Sequence, residues 1–239
     1  MLFSLGARLA ACADMVREGK VPADIGTDHA YLPIWLVQSG KVPRAYASDI
    51  HEEPIQSAKS NIERYGLSDK IITFTADGLA KIPPDDVDDI IIAGMGGDAI
   101  AAIMAQADWI CHEKYRLILQ PMSHVERLRE FLYRHGFTMI AEKPVCEANR
   151  IYTVIHATYS TNPKPFTEFD FYAGRLGYDN PLSVRFLEKQ ADILEAVADG
   201  MAAQQNPAQE AHWRSMSAQL REYAHGEEKK DNDNSESYL

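Results

Sequence analysis

Three acidic residues stand where apolar runs end, and each is placed to bind one part of a ligand made of a nucleoside and a charged tail. Asp24 and Gly26 close the run at 21–25, Asp49 closes the run at 44–49, and Asp77-Gly78 follows the run at 71–75. Runs of this kind, alternating with helical stretches, read as strands of a parallel sheet whose carboxyl edge binds ligands. At such an edge Asp49 would accept two ribose hydroxyls and Asp77 would take an adenine amino group. The open turn at Asp24 and Gly26 would admit a charged tail. Any one of these acids alone reads more simply as a turn or helix-cap residue. Three of them after successive strands are harder to explain as punctuation.

The turn after the first run narrows the ligand. Of the glycines in a G-x-G-x-x-G dinucleotide fingerprint only the first, Gly26, is present; Asp28 stands at the second position and Tyr31 at the third. A carboxylate at the second position would repel a pyrophosphate. This disfavours a nicotinamide-dependent oxidoreductase. A cofactor with an amine, a sulfonium and a ribose but no phosphate suits the acid, and S-adenosylmethionine has those parts. Asp28 has two readings: an N-cap for the following helix, or a negative charge facing the substrate.

Further candidates follow the fourth and fifth runs. Gly94-Met95-Gly96-Gly97 comes directly after the continuously apolar stretch 89–93, and reads as a loop in which backbone approaches a flat ligand. Gln120-Pro121 ends the fifth run and could offer an amide to a base edge. Arg127, Arg129 and Arg134 lie on the next helix, as phosphate contacts or simply as a solvated face.

The elements that must position these groups alternate as a doubly wound α/β domain. Leu5, Leu9, Cys12 and Val16 mark one face of a first helix, with further helices expected over 29–38, 53–65 and 125–135. Strands are expected at 116–120, 137–144 and 151–158, the last two as an antiparallel pair at the sheet edge. Residues 161–165 read as a linker. Beyond it Leu187, Ala191, Leu194, Ala198 and Met201, then Trp213, Met216, Leu220 and Tyr223, recur at coiled-coil spacing on either side of Asn206-Pro207. The expected organisation is a cofactor-binding domain over 1–160, a helical hairpin over 161–226 and a disordered polar tail over 227–239.

Bulk properties limit the function classes. With 46% hydrophobic and 25% charged residues in 239, the chain has an ordinary globular composition. Its three cysteines form no C-x-x-C pair, and its eight histidines no metal-ligand spacing. We therefore expect no metal, no disulfide framework and a reducing, cytoplasmic setting. No apolar run is long enough to span a bilayer. The net charge of −11 opposes a nucleic-acid partner, yet residues 114–150 carry seven Lys/Arg against four Asp/Glu. A local basic face of this kind can bind phosphates on an acidic protein.

Together, Asp24-Ile25-Gly26-Thr27-Asp28-His29-Ala30-Tyr31-Leu32-Pro33, Ala93-Gly94-Met95-Gly96-Gly97 and Leu117-Ile118-Leu119-Gln120-Pro121 resemble the bacterial tRNA (adenine(22)-N1)-methyltransferases. The resemblance implies a class I, Rossmann-like methyltransferase fold with a seven-stranded sheet, S-adenosylmethionine as donor and the D-loop of tRNA as substrate. It implies a cofactor site at Asp24, Gly26, Asp49, Asp77 and Gly78, to which Gly94 after the fourth run is added as a further candidate, and a base-facing catalytic edge at Asp28, Met95 and Gly96. The hairpin is expected to dock tRNA, since the α/β domain offers only a modest basic face. The alternative is a methyltransferase acting on a small molecule or a protein; a non-catalytic interaction module would bind no donor.

Overall fold

The computed structural model describes residues 3–226; the tail at 227–239 lies outside them. The chain divides into two compact units, Met1–Leu176 and Gly177–Leu239. The first begins with helix α1 (Ala7–Met15), then alternates β1 (Pro22–Ile25), α2 (Tyr31–Gln38), β2 (Ala45–Asp49), α3 (Glu52–Arg64) and β3 (Ile71–Thr75). It continues with β4 (Asp89–Gly96), α4 (Gly97–Ala105), β5 (Arg116–Ser123), α5 (Val125–Arg134), β6 (Phe137–Glu147), β7 (Arg150–Tyr159) and α6 (Glu168–Ala173). The seven strands form one sheet in the order β3-β2-β1-β4-β5-β7-β6. The first five are mutually parallel and β7 is antiparallel to both β5 and β6. The expected edge pair is present, but β7 lies inside it, between β5 and β6.

Apolar residues explain the sheet's centre. Ile90, Ile91 and Ile92 of β4 and Leu117, Ile118 and Leu119 of β5 are fully buried, as befits central strands covered on both faces. Helix α2 is buried over most of its surface, at Leu32, Pro33, Ile34, Leu36 and Val37, whereas α3 buries one stripe. In α3, Ile55, Ala58 and Ile62 are buried, while Glu52 and Glu53 in the first turn and Arg64 in the last complement the helix dipole.

Register sets the site. Ile25 of β1 pairs with Ser48 and Ile92, Ser48 with Phe74, and Ile92 with Leu119. One residue further on, Gly26, Asp49, Thr75, Ala93 and Gln120 therefore line up along the carboxyl edge.

Three sequence expectations are corrected here. Gly94-Met95-Gly96 is not a loop but the end of β4, which stays paired with an equally extended β5 through Met95–Pro121 and Gly96–Ser123. Bulges between Ala93 and Met95 and between Met95 and Gly96 allow this, because a bulge tolerates a proline in the partner strand and a glycine in its own. Helix α2 starts at Tyr31 rather than at 29, since His29 and Ala30 both take left-handed backbone (φ 62° and 56°). The first unit also runs to Leu176, past the boundary expected at 160. Helix α6, capped by Thr167 and Asp170, packs on α5 through Tyr133, Phe166 and Phe171, whose ring centres lie 5.0–6.1 Å apart.

The second unit is a helical hairpin of α7 (Pro181–Ala203) and α8 (Pro207–Ala224). Both helices start on an Asn-Pro pair: Asn180 accepts from the Leu182 N–H and Asn206 from the Gln209 N–H, with proline at the first helical position. Leu187, Ala191, Leu194 and Ala198 face Met216, Ser217 and Leu220 across the seam, all buried. The Ser217 hydroxyl donates to the Ala191 carbonyl at 2.9 Å.

Candidate functional site

The site grows from the β1 turn. The backbone N–H groups of Gly26 and Thr27 both donate to the Ser48 carbonyl, at 2.7 and 2.9 Å, so the turn is stitched to the end of β2. Gly26 is required twice over. Its φ is 75°, and a Cβ there would lie 2.0 Å from the Met95 Cε. The same contact shows that the β1 turn and the β4 end, separated in sequence, meet in space with the Met95 thioether laid over Gly26.

Asp24 is 8% exposed and accepts the Thr27 hydroxyl at 2.7 Å. Burial pushes its carboxyl from 3.8 up to about 6; the Thr27 hydrogen bond pulls the other way and the Asp49 charge adds to the rise. Among the described residues no cation pairs with it, so it is a buried acid suited to receive one. The Ser48 hydroxyl is also buried and has no partner. A buried carboxyl awaiting a cation, next to a turn in which Gly26 has no side chain, fits the methionine end of S-adenosylmethionine.

Asp49 is mostly buried at the end of β2 and accepts the His51 N–H at 2.8 Å, which fixes the carboxylate at the edge. Asp77 is exposed just beyond β3, and Gly78 beside it packs under Ile103. The fold thus brings Asp24, Gly26, Asp49, Asp77 and Gly78 to one edge, with Gly94, Met95 and Gly96 next to them.

Asp28 does not cap α2. The residue before that helix is Ala30, with no side-chain capping bond. Instead the Asp28 side chain is 76% exposed and lies 3.2 Å from the His29 Nε2. The His29 carbonyl accepts from the Asn61 amide at 3.1 Å, which holds the left-handed segment in place.

Two other expectations fail. Gln120 offers no free amide: it is fully buried, its Oε1 accepting from Arg8 and from the Gly94 N–H and its Nε2 donating to the Pro121 carbonyl. Arg129 is not a phosphate contact. It is fully buried, paired with the equally buried Glu142 at 2.6 Å, and donates to the Phe171 and Tyr172 carbonyls at 2.8 Å. Arg127 and Arg134 are exposed, near Asp98 and Glu130 respectively. Among the described residues no cluster of His, Cys, Asp or Glu could hold a metal ion, and no helix is long and apolar enough to cross a membrane.

Sequence reasoning missed Thr27, Arg8 and Glu147. Thr27 carried a signal, a hydroxyl three residues from a buried acid; the Arg8–Glu147 pair, far apart in sequence, carried none.

The methyltransferase-domain family matches residues 5–155. The tRNA (adenine(22)-N(1))-methyltransferase of Bacillus subtilis is 38% identical over 172 residues, 72% of either chain. The chain belongs to the tRNA (adenine(22)-N1)-methyltransferase family. Solved structures of that family share the whole architecture. The B. subtilis m1A22 tRNA methyltransferase TrmK superimposes with a TM-score of 0.82 at 29% identity, covering 92% of this chain and 100% of that one. The M. capricolum TrmK, solved with S-adenosyl-homocysteine, gives 0.76 at 25% identity over 93% of this chain and 100% of its own. This family member is accordingly an S-adenosylmethionine-dependent methyltransferase with a seven-stranded class I fold and a C-terminal helical pair.

Proposed function

We propose that this enzyme transfers the methyl group of S-adenosylmethionine to N1 of adenine 22 in the D-loop of tRNA, in the cytoplasm. The observation that supports the reading is the meeting of Met95 with Gly26, which brings the end of β4 against the β1 turn. Asp24 receives the cationic methionine end, Asp49 the ribose hydroxyls, and Asp77 with Gly78 the adenine. Gly94 shapes the β4 end beside them.

The chemistry asks little of a base. The bound donor supplies an electrophilic methyl group on a sulfonium. Adenine N1 is an unprotonated sp² nitrogen at neutral pH, so the chain need not remove a proton before attack. It must free N1 from Watson–Crick pairing and hold it in line. Met95 and Gly96 form the surface against which the purine rests. Positive charge passes to the purine, and the Asp28 carboxylate favours that charge and can accept a hydrogen bond from the N6 amino group.

tRNA docking falls to exposed cations. On the first unit Arg127 and Arg134 remain once Arg129 is removed. The hairpin over 177–226 carries seven acids against four bases. Its Arg214 is held by Glu195, Asp199 and Glu210 and its Arg221 by Asp192. Arg185 and Lys189, exposed one turn apart at the start of α7, are its candidate phosphate contacts. The deciding experiment is mass spectrometry of nucleosides from unmodified tRNA incubated with enzyme and donor. 1-Methyladenosine mapping to position 22 is expected; N6-methyladenosine, a methylated pyrimidine or no tRNA product would overturn the reading.

A further inference from the structure

We propose that Arg8, on the N-terminal helix α1, is a positioning residue for methyl transfer, acting through the Gln120 amide on the Gly94 peptide. The inference rests on the methyl-transfer reading of the site and names a part of its machinery that lies outside the strand-end motifs.

The bulge in β4 between Ala93 and Met95 takes the Gly94 N–H out of the regular ladder with β5. That N–H donates instead to the Gln120 Oε1, at 3.2 Å. The same oxygen accepts from the Arg8 Nη1 at 2.8 Å, while the Gln120 Nε2 donates to the Pro121 carbonyl at 2.8 Å. Arg8 is itself held. Its Nε donates to the Glu147 Oε2 at 2.5 Å, at the end of β6, and its guanidinium carbon lies 5.4 Å from the centre of the Tyr152 ring on β7. Space for the Glu147 carboxylate is kept by Gly6, where a Cβ would come within 2.7 Å of Oε1. A continuous line of hydrogen bonds thus runs from Glu147 through Arg8 and Gln120 to the backbone just before Met95.

The line has a direction. Gln120 can turn its amide either way, and only one way presents oxygen to Gly94. Arg8 has donors and no acceptor, so it reinforces the orientation that the Gly94 N–H and the Pro121 carbonyl already select. With Arg8 removed, the Gln120 Oε1 loses its charge-assisted donor and the amide its link to Glu147, so the side chain is held only by Gly94 and Pro121. The tie to the bulge is then weakened, and with it the placement of Met95 and Gly96. Gly94, at φ 82°, has no side chain to restrain it. Asp24, Asp49 and Asp77 are not touched, and Gly94 is reached only through its N–H to Gln120, so the effect belongs to the end of β4.

The test compares wild type with Arg8→Gln, Arg8→Lys, Gln120→Glu and Glu147→Gln in the full-length enzyme, using unmodified tRNA. For Arg8→Gln we expect kcat to fall roughly ten- to a hundredfold, with donor Kd and the KM for tRNA within about twofold, as for a misplacement rather than a lost contact. Arg8→Lys keeps one donor and should recover part of the rate. Gln120→Glu can accept from both Arg8 and Gly94, but its buried carboxylate has no other cation, so it should tolerate loss of Arg8 worse than wild type does. Independently of activity, hydrogen exchange of the Gly94 amide should be protected in wild type and lose protection in Arg8→Gln. Unchanged Gly94 protection overturns the proposal whatever the substrate proves to be. So does a lowered melting temperature with unchanged kcat, which would reduce Arg8 to a fastener of α1. Wild type that forms no methylated tRNA while Gly94 responds to Arg8 would overturn the function and leave the relay standing.

Discussion

Asp24 makes the donor site sensitive to acid. Its carboxyl titrates at about 6 in the folded chain instead of near 3.8, chiefly because it is buried. The folded state therefore holds that proton to higher pH than the unfolded chain, and this group's contribution to stability falls as pH rises from about 4 to about 6. At neutral pH the buried charge costs ~3 kcal/mol, from about two pKa units. A cationic ligand offsets that cost. Donor affinity should accordingly weaken by up to about tenfold per unit as pH drops below 6, with proton release visible by calorimetry in two buffers of different ionisation heat. Asp24→Asn should bind weakly and without that dependence. Flat wild-type affinity between pH 5 and 7 would separate Asp24 from the donor. Asp49→Ala should weaken donor binding by ~1–3 kcal/mol, the usual cost of leaving hydroxyls unpaired in a partly buried site, with the fold intact by circular dichroism. Asp28 is a different case, because it caps nothing and stands in solvent. Asp28→Asn should leave donor binding and the melting temperature unchanged and lower the single-turnover rate by roughly ten- to a hundredfold. That is less than the hundred- to thousandfold of a fully enclosed charge. A rate within twofold of wild type would leave Asp28 without a catalytic part.

At the scale of elements, α5 and α6 are joined by charge inside the protein. Arg129 and Glu142 are both fully buried, and Arg129 also satisfies two carbonyls at the end of α6. Breaking such a pair from one side leaves an uncompensated buried charge and typically costs ~3–5 kcal/mol. Glu142→Ala should therefore lower the melting temperature by roughly 6–20 °C at the ~2–4 °C per kcal/mol of a chain this long. Arg134→Ala, which breaks an exposed pair with Glu130, should shift it by little. Equal shifts in the two variants would contradict the burial of Arg129.

Over the whole molecule, the unit boundary decides which shortened chain can be made. A chain ending at Leu176 keeps α6 and should bind S-adenosylmethionine like the full chain, while methylating tRNA poorly. A chain ending at 160 removes both carbonyl partners of Arg129 and should melt lower. Full tRNA activity in the chain ending at Leu176 would remove the hairpin from substrate docking. Because the molecule carries a net charge of −11, phosphate contacts must come from a few exposed cations. Replacing Arg185 and Lys189 together should reduce the slope of log affinity for tRNA against log salt by about one to two, at roughly 0.7–0.9 per phosphate contact. An unchanged slope would place the contacts elsewhere.

Local pattern alone determined the strand–helix alternation, the donor turn and the hairpin seam. Apolar runs, Asn-Pro starts and glycine-bearing turns act within a few residues of chain, so they are legible without coordinates. The three strand-end acids were legible for the same reason: alternation implies a parallel sheet, and a parallel sheet has one carboxyl edge. Pairing across the chain was not. Nothing in residues 94–97 distinguishes a glycine loop from a bulged strand until β5 lies beside it, ladder bond by ladder bond. Arg129 on an amphipathic helix looks like any solvated arginine until Glu142 and the end of α6 close over it. Gln120 looks available until Arg8 and Gly94 both claim its oxygen. Those outcomes depend on partners from 13 to 112 residues away, and only the folded chain brings them into contact.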